Sequence, residues 1–225
     1  MPILSYILIA LGAYLLGSIP FGFLAAKAKG MDIRSVGSGN IGATNAMRVL
    51  GKPGGISVLL LDVLKGFAAV AWITPMIYSL TEPHHFGLAP GFAAALPAVQ
   101  MKVKVLAGVA AVLGHNYTCW LKFKGGKGIA TTAGVYLALA PWPLLIALVV
   151  FILAIVLTRY VSVGSISAAI ALPLAVYFSQ DNDTLNIVTL VLGVMAVYKH
   201  KSNLQRLMAG TENRLGRKSK TEGAK

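Results

Sequence analysis

Between Val36 and Arg48 the chain reads V-G-S-G-N-I-G-A-T-N-A-M-R, with Gly37, Gly39 and Gly42 spaced among Ser38, Asn40, Thr44 and Asn45. Glycines let successive backbone N–H groups turn toward an anion, hydroxyls and amides add neutral hydrogen bonds, and the Arg48 guanidinium adds a fixed charge. That combination suits an oxyanion, most simply a phosphate. Alone, such a stretch would read as a flexible loop. Two further stretches share its chemistry: Phe123 to Thr131, F-K-G-G-K-G-I-A-T, and Asn203 to Glu212, N-L-Q-R-L-M-A-G-T-E. Together they offer Arg48, Lys127 and Arg206 as cations, and they can cooperate only if the fold brings them to one side.

The elements that must do this are set by composition. The 225 residues are 56% hydrophobic and 12% charged, with a mean hydropathy of +0.74; a soluble domain carries roughly 25% charged residues. The chain is therefore expected to be an all-α polytopic integral membrane protein. Apolar runs long enough for a bilayer, or nearly so, predict about seven spans: Ile3 to Ala26, Gly55 to Leu80, Val103 to Leu121, Gly128 to Ala140, Pro143 to Thr158, Val163 to Ser179 and Leu185 to Tyr198. Only Pro141-Trp142-Pro143 separates the fourth from the fifth, so five or six spans are the alternative. The first run lacks a preceding basic residue and a small-residue cleavage site, so it is kept as a span rather than a signal peptide.

All 20 Lys and Arg except Lys65, Lys102 and Lys104 fall on one side if the N-terminus is outside and the C-terminus cytoplasmic. The positive-inside rule selects that orientation, which puts all three polar stretches at the cytoplasmic face of the membrane. The net charge of +13 fits attraction to anionic headgroups. Nucleic-acid binding is not expected, since the basic residues are dispersed without an aromatic stacking platform.

Cys119 is the only cysteine. The cytoplasmic carboxylates reduce to Asp32, Glu212 and Glu222, with Asp62 near a membrane boundary, so paired carboxylates for a metal are lacking and no metal or cofactor is expected. Asp62 and Lys65 lie three apart on one helix face, which suits an ion pair as well as a catalytic role. Of the four histidines, none is followed five positions later by Asp, which removes the His-x4-Asp arrangement of the acyl-CoA-dependent acyltransferases. His84 and His85 read as a solvated pair in an outer loop; His115 reads as a structural hydrogen-bonding residue, with a base role as the alternative.

The stretches G-S-G-N-I-G-A-T-N-x-x-R, G-H-x-x-x-x-W-x-x-F-K-G-G-K-G-I-A-T and N-x-x-R-x-x-x-G-x-E resemble, in order and spacing, the three cytoplasmic motifs of the bacterial acyl-phosphate:glycerol-3-phosphate acyltransferases. The likeness runs from about Tyr6 to Glu212 and includes L-L-G-S-I-P-F-G, L-D-V-L-K-G and R-Y-V-S-V-G-S-I. It implies transfer of a fatty acyl group from a long-chain acyl phosphate to the 1-hydroxyl of sn-glycerol 3-phosphate, giving lysophosphatidic acid and inorganic phosphate. Thr118 stands where the family usually has Pro, Trp120 where it has Phe and Ile129 where it has Val; loss of the Pro is expected to alter how the third span ends and so to shift His115. The outer segment 81–101 looks longer than the family needs.

Carried over residue by residue, Ser38, Arg48, Lys127, Asn203 and Glu212 are expected at the reacting centre. Asn40, Thr44, Asn45, Gly125, Gly126, Gly128, Arg206 and Gly210 are expected around the substrate, with Ser162 and Ser165 adding hydrogen bonds unless they serve only as helix caps, and His115 and His200 as further candidates. Glu212 has two readings: proton acceptor, or a carboxylate that orients Arg206 or Asn203. Residues 1–213 are expected to form one transmembrane acyltransferase domain, monomeric and in contact with membrane lipid, and 214–225 a disordered basic tail. An anion transporter is the competing class, but it would need polar breaks on both faces; a non-catalytic scaffold would leave the three stretches unexplained.

Overall fold

The computed structural model describes residues 3–81 and 100–216, and the outer segment lies almost wholly outside them. Helices occupy all seven predicted apolar segments, and no strand occurs among the described residues. Helices α1 (Ile3–Ser18) and α2 (Phe21–Lys27) share the first segment; Pro20 divides them, because its ring restricts the preceding residue and it supplies no N–H. Helix α3 (Ala43–Ala68) starts twelve residues before the predicted span and is kinked at Gly51, whose φ is 80°. A wide turn over Ala69–Ile73 then leads into α4 (Thr74–Thr81). Pro75, which cannot continue the α-helical ladder, explains the bulge.

The remaining helices are α5 (Met101–Asn116), α6 (Ile129–Leu139), α7 (Pro141–Thr158), α8 (Val161–Ser179), α9 (Asp183–Lys199) and the short α10 (Lys201–Met208). The prolines at 141 and 143 do break the helix between the fourth and fifth segments: α6 ends at Leu139, Ala140 is non-helical, and the prolines open α7, where a missing N–H costs nothing. Among the described residues four helical stretches are long and apolar enough to cross a membrane: Ile3–Lys27, Ala43–Thr81, Pro141–Thr158 and Val161–Ser179. The others are shorter, α6 at 11 residues.

Two helix pairs approach through reciprocal glycines. A Cβ on Gly17 of α1 would lie 2.1 Å from the Ala111 carbonyl oxygen of α5, and one on Gly114 of α5 would lie 2.2 Å from that of Tyr14. Gly66 of α3 faces Thr131 of α6 in the same way, and Gly134 faces Val63. Small residues allow backbones to pack this closely where water gives no driving force. Deeper in, the Tyr136 hydroxyl bonds to Thr189, tying α6 to α9 inside a core of Val112, Val135, Leu144, Val176 and Leu192. Lipid-side residues such as Leu157 and Phe178 stay exposed. The second pair sets the starts of α3 and α6 beside one cavity, which the start of α8 also lines.

Candidate active site

Asn45 builds the first wall. Its side-chain oxygen accepts the Ser38 N–H at 2.8 Å, while its amide donates to the carbonyls of Asn40 at 2.9 Å, Val36 at 3.0 Å and Ile33 at 3.2 Å. Asn40 in turn accepts the Gly42 N–H at 2.9 Å. Gly37 sits at a φ of 64°, and a Cβ there would strike the Asn45 side chain at 2.2 Å. The loop is thus a folded unit rather than a flexible connector. The Ser38 hydroxyl, by contrast, has no hydrogen-bond partner among the described residues and lies on the cavity wall.

The second wall is the loop Lys124 to Gly128. The N–H groups of Gly125 and Gly126, expected to meet substrate, are used elsewhere: they donate to the carbonyls of Asn116 at 3.2 Å and His115 at 3.0 Å. Neither glycine lines the cavity. Their role is close packing, since a Cβ on Gly126 would lie 2.1 Å from His115 Nε2. This fold over the end of α5 turns Lys127 inward, where its ammonium donates to Asn203 Oδ1.

Gly210, also expected around the substrate, stands outside the cavity in a left-handed conformation with φ 67°. It ends α10: its own N–H returns to Leu207, and that of Thr211 to Arg206 at 2.8 Å. This is the 6→1 and 5→2 closure that favours Gly just past a helix. The reversal brings Glu212 back over the helix it has left. There the carboxylate accepts from Asn203 Nδ2 at 2.8 Å, Ser162 Oγ at 3.1 Å and Arg206 Nε at 2.7 Å. Arg206 therefore reaches the cavity through Glu212 rather than lining it.

Residues of all three polar stretches surround one cavity of about 140 Å³: Ser38, Asn40, Thr44, Asn45 and Arg48, then Lys127 and Gly128, then Asn203 and Glu212, together with Ser162, Ser165, His115 and His200. The starts of α3, α6 and α8 open into it, through Gly42 to Thr44, Gly128 to Ala130, and Val161 and Ser162. None of the three has a side-chain cap, so the N–H groups of Ala43 and Thr44, Ile129 and Ala130, and Val161 and Ser162 remain available, although that of Asn45 already donates to Gly42 O, and the three helix dipoles add partial positive charge. Sequence reasoning did not identify this feature. Its signal was Gly, or the Tyr160 before α8, standing where a Ser or Asp cap would be. Ser165 is partly engaged, since its hydroxyl donates to Val161 O at 2.9 Å.

At the floor, Asp62 pairs with Lys65 at 2.8 Å, both buried, and His115 Nδ1 stands 3.5 Å from the same carboxylate oxygen. Leu59 and Phe151 supply an apolar side.

Residues 7–210 match the model of the family described as glycerol-3-phosphate acyltransferase. The chain belongs to that family. It is 44% identical over 216 residues to a glycerol-3-phosphate acyltransferase of Desulforamulus reducens, covering 96% of this chain and 98% of the relative. A glycerol-3-phosphate acyltransferase of Geobacter sulfurreducens is 44% identical over 211 residues, covering 94% and 98%. Among solved structures it resembles PlsY, an integral membrane glycerol 3-phosphate acyltransferase, in its glycerol 3-phosphate form, with a TM-score of 0.81 at 37% identity over 94% of this chain and 96% of that one. The lysophosphatidic acid form of PlsY gives a TM-score of 0.78 at 36% identity. This chain is an integral membrane acyltransferase.

In this acyltransferase Thr118 keeps the backbone that proline would impose. Its φ is −64°, and its N–H enters none of the hydrogen bonds found among the described residues. Its hydroxyl instead donates to Ser18 O at 2.6 Å, so α5 ends at Asn116 and His115 stays in the cavity wall.

The acyltransferase also tunes its charges. Burial, with Arg206 and Arg48 nearby, pulls the Lys127 ammonium down to about 8 against the opposing field of Glu212. Burial alone would raise the Glu212 carboxyl, yet the hydrogen bonds from Arg206 and Asn203 outweigh it and hold the group below its ordinary range. Burial beside Lys127 pushes His200 down to about 4, so its imidazole is neutral near pH 7. Because Nδ1 lies 2.8 Å from the Ala196 carbonyl, which only accepts, the proton resides there and Nε2 is an acceptor.

Proposed function

We propose that this enzyme transfers a fatty acyl group from an acyl phosphate to the 1-hydroxyl of sn-glycerol 3-phosphate, releasing lysophosphatidic acid and inorganic phosphate in the first acylation of phospholipid synthesis. The observation that carries the reading is the meeting of three uncapped helix starts with Arg48 and Lys127 in one cavity. Both substrates are phosphate anions. A site that holds them together must offset strong like-charge repulsion with several cations and fixed N–H donors.

An acyl phosphate is already an activated mixed anhydride. The 1-hydroxyl oxygen attacks the acyl carbonyl carbon, the bond from that carbon to the phosphate oxygen breaks, and the phosphate departs with the electron pair. Arg48, Lys127 and the helix starts stabilise the departing phosphate. Ser38 and Thr44 hydrogen-bond phosphate oxygens, and neutral His200 accepts from a glycerol hydroxyl. Glu212, holding three donors and a lowered pKa, orients Arg206 and Asn203. The proton of the attacking hydroxyl passes to a substrate phosphate oxygen. Leu59 and Phe151 begin the apolar side on which the acyl chain lies.

The Lys and Arg distribution supports placing this cavity at the cytoplasmic face of the inner membrane. The test supplies purified protein with glycerol 3-phosphate and, in parallel, an acyl phosphate, an acyl-CoA or an acyl carrier protein thioester. Lysophosphatidic acid and phosphate should form from the acyl phosphate; phosphate release without lysophosphatidic acid would overturn the assignment.

A further inference from the structure

The tail expected to be free from residue 214 is held as far as the description reaches. The segment after α10 runs antiparallel to the α7–α8 junction and meets it three times in register. Glu212 accepts from Ser162 at 3.1 Å, Arg214 Nε donates to the Tyr160 hydroxyl at 2.8 Å, and Leu215 N–H donates to the Arg159 carbonyl at 2.8 Å. The Arg159 guanidinium completes the last pairing by donating to Leu215 O at 3.1 Å. The Arg214 guanidinium also lies over the Tyr160 ring, 5.0 Å from its centroid.

Arg159 caps α7 with a φ of 64°, a conformation that L side chains rarely adopt and that Gly would take without strain. A residue serving only to turn the chain would be glycine here. The arginine does something glycine cannot, which is to grip Leu215.

From this we infer that Arg159, Tyr160 and Arg214 form a clasp that positions Glu212, and through Glu212 fixes Arg206 behind the cavity and Asn203 and Lys127 in its wall. The clasp residues touch no substrate. They act because Glu212 sits two residues from Arg214 and three from Leu215, on a segment with no regular structure of its own, so its carboxylate is only as well placed as that segment is held. The inference rests on the proposed function for its catalytic readout but not for its binding readout.

The experiment is a double-mutant cycle on the full-length protein, with Tyr160→Phe and Arg159→Gly each made alone and in the Glu212→Gln background. Each single variant should lower kcat/KM, and weaken glycerol 3-phosphate binding measured by calorimetry, about fivefold. In the Glu212→Gln background neither should have a further effect, because the carboxylate they position is gone. Arg159→Gly should keep or raise the thermal midpoint, since it relieves the left-handed strain, which separates positioning from folding. Wild-type binding and turnover in both single variants, or effects that simply multiply with Glu212→Gln, would overturn the clasp. Calorimetry needs no acyl donor, so failed acyl transfer with intact coupling would sink the reaction and leave the clasp standing.

Discussion

Asn203 joins a cation to an anion through the two ends of one amide: its oxygen accepts from Lys127, and its nitrogen donates to Glu212 at 2.8 Å. An amide serves both neighbours at once, with an acceptor at one end and donors at the other. Asn203→Asp, nearly the same shape, replaces the donor with a charge facing Glu212 and should lower kcat/KM more than tenfold, about 1.4 kcal/mol of transition-state stabilisation. Steady-state kinetics giving a near-normal value would show that the relay has no bearing on turnover.

Removing the groups proposed to face the departing phosphate should be costly one at a time. Ser38→Ala, Arg48→Ala and Lys127→Ala are each expected to lose more than tenfold in acylation rate, again roughly 1.4 kcal/mol or more. Wild-type rates in any of them would remove that residue from the site.

Lys127 gives the reaction a pH signature. Its ammonium must be protonated to stabilise phosphate, and its pKa is pulled down to about 8. Activity should therefore be present below that pH and fall as pH rises through it, in kcat/KM, which reports the free enzyme. Bound phosphate stabilises the ammonium, so the limb in kcat should lie higher. Lys127→Arg, which stays charged, should abolish the alkaline limb whatever its absolute rate.

The contact between Gly126 and His115 can be tested by relief. Gly126→Ala forces a methyl group to within 2.1 Å of His115 Nε2 and should displace the loop that carries Lys127, lowering activity at least tenfold. Shrinking the neighbour, as His115→Ala in the Gly126→Ala background, should recover part of the loss. A double variant worse than both singles would mean that the two positions do not meet in this way.

Asp62 and Lys65, each 2% exposed, should matter to stability before chemistry. Lys65→Met strands a buried carboxylate and is expected to destabilise the fold by about 3–5 kcal/mol, read as a lowered thermal midpoint in detergent. The Asp62→Asn, Lys65→Met double variant should regain much of it. Equal loss in single and double variants would rule out the ion pair as the cause.

Much of this protein is legible in its sequence because the solvent is a bilayer. A segment such as Pro141–Thr158 has no alternative to the helix in hydrocarbon, where every backbone group must be satisfied within the segment or in a closed barrel. Against that apolar background Ser38, Arg48, Lys127, Asn203 and Glu212 stand out as residues with chemistry to do, and all five line one cavity. What the sequence left open is which donors are free. Asn45, Gly125 and Gly126 look like phosphate ligands by type, yet their hydrogen bonds go to the Val36–Asn40 loop and to the end of α5. The uncapped helix starts look like nothing in particular, yet they are what the fold leaves open on the cavity wall. A hydrogen bond belongs to two groups at once, and its second member is chosen by how helices pack, here through reciprocal glycines at Gly17 and Gly114 and at Gly66 and Gly134. Residue types set the chemistry on offer; the packing decided which groups were left to perform it.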